Sequence, residues 1–189
     1  MAGLKELRTR IETIKSTEKI TSAMKMVAAA RLRRSQGLIE KCRFYNNNIL
    51  ASANRVLFEL RQEEQKKNVR FVYPELMRGS GKAENYLLLV FTSDRGLCGS
   101  YNSNVAREAS KRIEELLGGG KNVKILCIGK KGRDILKRKY AGMIVDTIEG
   151  IARKGAKYYE AVDLGQRVLD MYAKGEFDVC ETVSSRFRS

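Results

Sequence analysis

Histidine is absent from all 189 residues. The commonest general base and the commonest zinc ligand go with it, so Ser–His–Asp triads and histidine-containing metal sites are excluded. Cys42, Cys98, Cys127 and Cys180 stand far apart with no CxxC pair, a pattern that reads as buried free thiols in a reducing compartment rather than disulfides. Two glycine-bearing turns invite a phosphate. Ser93-Asp-Arg-Gly-Leu-Cys-Gly-Ser-Tyr-Asn102 and Gly129-Lys-Lys-Gly132 each follow a short apolar run, and backbone N–H groups at a helix start attract anions. Their spacing fits neither GxGxxG nor GxxxxGKS/T. The first turn is therefore read as structural, with Gly96 and Gly99 supplying positive φ angles and Asp94 and Arg95 pairing with each other or with a partner subunit. No general base with an orienting group stands nearby. No catalytic residue, cofactor site or metal site is expected.

The elements that position these turns separate into two kinds. From Leu4 to about Leu60 there is no proline and, after Gly3, one glycine, Gly37, while helix formers fill most positions. Apolar residues recur at three- and four-residue steps, first Leu4, Leu7, Ile11 and Ile14, then Leu38, Cys42, Tyr45, Ile49 and Val56, which predicts a coiled-coil seam. Between the two runs the repeat slips phase: continuing from Ile14 meets Glu18, Thr21 and Lys25, whereas Met24 and Ala28 belong to the later register. A helix of this length runs roughly 85 Å, several times the radius of a domain this size. A seam that long needs a partner. Its middle, Ser22-Ala-Met-Lys-Met-Val-Ala-Ala-Ala30, is small-residued and adaptable.

Residues 62–85 read as a linker with a short helix around Pro74–Met77. Residues 86–189 then alternate strands with helices. Tyr86–Thr92, Val123–Ile128, Met143–Ile148 and Phe177–Val183 read as strands; Ser103–Leu117, Arg133–Lys139 and Tyr158–Ala173 read as helices. The inward faces are expected to carry Val105, Ala109, Ile113, Leu116 and Leu117, and then Ala161, Leu164, Val168, Leu169 and Tyr172. The fold class is α/β: a long N-terminal coiled-coil helix (1–61) plus a Rossmann-like domain with a mostly parallel sheet covered by helices (86–189).

Lys and Arg outnumber Asp and Glu by 37 to 22, giving a formal charge of +15. Residues 1–43 alone hold eleven basic side chains against four acidic ones. Acidic protein surfaces, nucleic acid and anionic lipid all fit such a balance. No nucleic-acid-binding signature is present and the tyrosines are scattered, so a basic coiled-coil nucleic-acid-binding protein is the alternative, carried by charge alone. No signal peptide and no apolar run long enough for a membrane span is read.

Three stretches resemble the gamma subunits of F-type ATP synthases: Ile20-Thr-Ser-Ala-Met-Lys-Met-Val-Ala-Ala-Ala-Arg-Leu-Arg-Arg-Ser-Gln36, Thr92-Ser-Asp-Arg-Gly-Leu-Cys-Gly99 with Asn102, and Ile128-Gly-Lys-Lys-Gly-Arg-Asp134. The resemblance runs from Leu4-Lys5 to Ser185-Arg-Phe-Arg-Ser189. It implies that the long helix is half of a rotor shaft inside a ring of alpha and beta subunits. The α/β domain would lie toward the membrane, against the epsilon (or delta) subunit and the c-ring. Such a subunit is not catalytic; it couples rotation driven by ion flow to conformational change in the beta subunits. Ile20, Met24, Lys25, Met26, Arg31, Arg33 and Arg34 are the implied contacts with the alpha/beta ring, without nucleic acid. The implied location is peripheral to the membrane: the bacterial plasma membrane on its cytoplasmic side or, alternatively, the mitochondrial inner membrane on its matrix side. Gamma subunits continue past the length seen here into a second long helix that pairs with the first. The chain is accordingly expected to be a fragment, or to take that helix from another chain. Alone, its long helix should fray, dimerise or aggregate through the seam.

Overall fold

The computed structural model describes residues 3–68, 71, 73, 75–151 and 157–187. The chain divides into two compact units, Met1–Val72 and Tyr73–Ser189. In the first, α1 runs over 64 residues, Leu4–Lys67, and Asn68 ends it in the left-handed conformation at φ 50°. Glu6 in its first turn and Lys66 and Lys67 in its last complement the helix dipole. The helix passes the expected end at residue 61 and takes in Gln62–Lys67, because these polar residues are good helix formers and Lys67 pairs with Glu63. The chain then turns, and the N–H of Phe71 donates to Glu64 Oε1 at 2.8 Å. Residues 69, 70, 72 and 74 of the expected linker lie outside the described residues. The short helix expected at Pro74–Met77 is α2, Glu75–Arg78.

In the second unit the order is β1 (Asn85–Phe91), α3 (Tyr101–Gly118), β2 (Asn122–Ile128), α4 (Lys130–Tyr140), a single 3-10 turn at Ala141–Met143, β3 (Ile144–Ile148), α5 (Tyr158–Ala173) and β4 (Val179–Val183). The four strands form one sheet in the order β3-β2-β1-β4, with every neighbouring pair parallel. The middle of β1 (87–90) and the second half of β2 (125–128) are continuous apolar runs, as expected of strands covered on both faces. Leu88, Val90, Ile125 and Cys127 meet Val105, Ala109 and Ile113 of α3 and Leu136 and Tyr140 of α4 on one side. Leu87, Leu89, Leu126 and Ile128 meet Met171 of α5 and Phe177 on the other, with Leu164, Val168 and Tyr172 half-buried against them.

Long-range polar contacts fasten the strand ends. Arg112 of α3 grips Glu181 of β4 through two hydrogen bonds of 2.8 and 2.7 Å, which hold the Glu181 carboxyl below its usual value. Asp178 accepts from the N–H groups of Asn85 and Glu84, and these bonds, Asn85 first, lower its carboxyl. Asp146 is lowered by the backbone N–H of Thr147 and then by Arg167.

Several expectations about side chains need correction. Cys127 alone of the four cysteines is buried, and burial pushes its thiol up to about 11. Cys42, Cys98 and Cys180 are free but exposed, because α1 has no cover, Cys98 sits in a turn and β4 is an edge strand. Ala161 and Leu169 of α5 face outward, and Met171 takes the buried place. Leu117 is also exposed, since α3 reaches its glycine end there.

Candidate functional site

Two places on the chain have the character of a site: the surface of α1 and the end of the sheet where β1, β2 and β3 terminate. α1 has no buried residue at all. Every seam residue is exposed: Leu4, Leu7, Ile11, Ile14, Leu38, Tyr45, Ile49 and Val56 among the large side chains, and Cys42 with them. Ile20, Met24, Lys25, Met26, Arg31, Arg33 and Arg34 are exposed too. The two apolar runs, Leu4–Ile14 and Leu38–Val56, thus stand uncovered at separate levels of the helix, with Ile20, Met24, Lys25, Met26, Arg31, Arg33 and Arg34 exposed between them.

Thr9, Thr13, Thr17 and Thr21 add a ladder. Each hydroxyl donates to the carbonyl four residues earlier, at 3.1, 2.9, 2.9 and 2.9 Å. The hydroxyls are satisfied within the helix, which leaves their methyl groups to meet a partner.

At the sheet end, the Ser93–Ser100 turn is held from within. Asn102, 8% exposed, accepts the N–H of Ser93 at 2.9 Å and donates to Cys98 Sγ at 3.0 Å. Gly99 adopts φ 57°, as expected, but Gly96 does not take a positive φ; Leu97 does, at φ 62°, and its side chain is 97% exposed. Leu97 thus carries backbone strain, its Cβ crowding its own carbonyl, at a tip where its side chain meets solvent. Asp94 and Arg95 form no ion pair among the described residues. The Asp94 carboxylate turns instead to the backbone, accepting from the N–H of Lys130 at 3.1 Å and of Gly150 at 2.8 Å. Thr92 Oγ1 accepts from the N–H of Gly132 at 2.8 Å. The chains approach so closely here that a Cβ on Gly129 would stand 2.3 Å from the Thr92 carbonyl oxygen.

At the start of α4 the N–H groups of Lys130, Lys131 and Gly132 already have acceptors in Asp94, the Ser93 carbonyl and Thr92. A nearby cavity of about 370 Å³ is lined by Ile148, Glu149, Gly150, Ile151, Glu160, Asp163, Leu164 and Arg167. Of these, Arg167 is paired with Asp146 and Glu149 with Arg133. No group of three or more His, Cys, Asp or Glu side chains able to hold a metal occurs among the described residues. Residues 92–102 were singled out as one stretch, while Gly129 and Gly150 were not tied to it; the contacts that join them span dozens of residues and leave no local pattern.

No helix among the described residues is long and apolar enough to cross a membrane. The family described as ATP synthase matches residues 3–189. The ATP synthase gamma chain of Sinorhizobium medicae is 42% identical over 189 residues, covering 100% of this chain and 62% of its own length. That of Maricaulis maris is 44% identical over the same 189 residues, again with 62% of its length covered. The chain thus spans less than two thirds of these relatives. Among solved structures, the central stalk and c-ring of the Tetrahymena thermophila mitochondrial ATP synthase includes a chain that is 29% identical, with a TM-score of 0.52 over 80% of this chain and 59% of that one.

Proposed function

The chain belongs to the ATP synthase family, and from that premise we propose that it is the N-terminal part of a gamma subunit, the central-stalk rotor shaft of a proton-translocating F-type ATP synthase. The observation that carries the reading is α1: 64 helical residues with no buried side chain and two long runs of exposed apolar residues, Leu4–Ile14 and Leu38–Val56. Apolar runs left uncovered along so long a helix need cover from partners. A ring of alternating alpha and beta subunits would supply it, together with the second shaft helix of the full-length gamma chain. Two turns of small and flexible residues around Met24 and Met26 suit a surface that must turn against its neighbours, since a tight interface concentrates its energy in a few aromatic and arginine anchors instead. The basic side chains Lys25, Arg31, Arg33 and Arg34 match acidic partner surfaces, steering assembly more than adding affinity.

In this reading the subunit takes no chemical step. Ion flow turns the shaft, and the shaft drives the catalytic beta subunits through their conformations. The α/β unit is the platform that meets the epsilon (or delta) subunit and the c-ring, and the whole lies peripheral to the membrane, on the cytoplasmic side in a bacterium. The nucleic-acid alternative has no support among the relatives.

A chimera tests the proposal. Residues 1–189 replace the matching part of the Sinorhizobium medicae gamma chain, and the product is combined with that organism's alpha and beta subunits. Assembly at one chimera per three beta subunits, with ATPase activity that depends on it, is the expected result. A folded chimera that does not assemble would overturn the reading.

A further inference from the structure

The loops that leave β1, β2 and β3 meet at the end of the sheet where doubly wound domains receive phosphate on the first N–H groups of a helix. In this chain the position is filled from within. Asp94 offers Oδ1 to the N–H of Lys130, the first residue of the eleven-residue α4, and Oδ2 to the N–H of Gly150, just beyond β3. Those two bonds reach 36 and 56 residues along the chain. The carboxylate brings a full negative charge to the positive end of α4. Beside it, the N–H of Lys131 donates to the Ser93 carbonyl at 3.1 Å, and Thr92 receives Gly132. At Gly129 the first two loops approach so closely that a Cβ there would stand 2.3 Å from the Thr92 carbonyl oxygen.

We propose that Asp94 is a built-in anion: its carboxylate stands where a phosphate would, and by doing so clasps the β1–α3 loop to the start of α4 and to Gly150, just beyond β3. The role is one of positioning. What it positions is the Arg95–Gly99 tip, which has Leu97 fully presented to solvent and is tied from the α3 side by Asn102. The inference concerns the α/β unit alone and does not depend on the rotor reading.

Asp94→Ala in the full chain tests it by hydrogen exchange resolved to single residues, with and without inorganic phosphate at constant ionic strength. The amides of Lys130 and Gly150 should exchange roughly ten- to a hundredfold faster, the range for losing a hydrogen bond to a charged acceptor. Phosphate should restore part of that protection in Asp94→Ala and leave the wild type unchanged. Unaltered exchange in the variant would overturn the proposal, as would a loosening that phosphate does not recover or an equal response of the wild type. If Asp94→Ala does not fold, Asp94→Asn keeps the shape and one accepting oxygen. One of the two amides should then lose its protection while the other keeps it; wild-type protection at both would overturn the clasp.

Discussion

Leu88 and Ile49 have isomeric side chains and opposite surroundings. Leu88, in the middle of β1, is completely buried, whereas Ile49, in the third quarter of α1, is 46% exposed. Every large apolar residue of β1 and β2 is covered by α3, α4 or α5, so the α/β unit meets its need for burial within its own chain. α1 has comparable apolar material and no cover from it. The difference teaches where to look for partners: in an uncovered helix of good intrinsic propensity, the apolar positions describe what surrounds the helix in its assembly, and in a covered sheet they describe the fold.

The comparison breaks first at its extremes. Leu88→Ala should cost about 2–5 kcal/mol and lower the melting temperature of the α/β unit, because the cavity lies between fully packed neighbours. Ile49→Ala should change the stability of the chain alone by no more than about 0.5 kcal/mol, yet weaken assembly with alpha and beta subunits. Equal effects of the two on the isolated chain, measured by thermal melts, would erase the distinction.

Gly129→Ala should cost about 3 kcal/mol, since it adds a Cβ against the Thr92 backbone at a residue with φ 110°. Gly37→Ala, in α1, should do the reverse and raise helix stability by about 0.5–1 kcal/mol, because nothing lies within 4 Å of the new methyl group. Circular dichroism of the two variants separates a glycine required by close approach from one that is merely tolerated.

A smaller and more selective effect concerns acid. Asp146, Asp178 and Glu181 are held below their usual values by hydrogen bonds. Their native pKa values lie under the unfolded ones, so the stability they lend is full above the ordinary carboxylate range, about pH 4, and drains away as pH falls through the lowered values. Melting of the α/β unit should therefore steepen in its pH dependence below about pH 4. Glu181→Gln should flatten part of that slope while leaving Arg112 without its partner.

The α/β unit was largely legible because its signals are local. Short apolar runs, glycines after them and helical periodicity between them mark β1, α3, β2 and α5 within a residue or two. What escaped was set by distance along the chain. The Asp94 bonds to Lys130 and Gly150 join loops that no motif links, and the exposure of Cys180 follows from β4 being an edge, which strand order alone decides. The choice of Leu97 over Gly96 for the left-handed residue is a matter of turn register, and glycine permits that conformation without requiring it. In α1 the length was readable from composition up to Leu60, while its last turn was hidden in residues polar enough to pass for a linker.

The most direct measurement is hydrogen exchange along the monomeric chain, before and after alpha and beta subunits are added. The amides of β1 and β2 should exchange only through global opening in both conditions. Those of Leu4–Lys67 should exchange like an isolated helix in the chain alone and become strongly protected in the complex. Protection of α1 in the free monomer equal to that of β1, or no change on adding the subunits, would contradict the division between a self-covered unit and a shaft that depends on its surroundings.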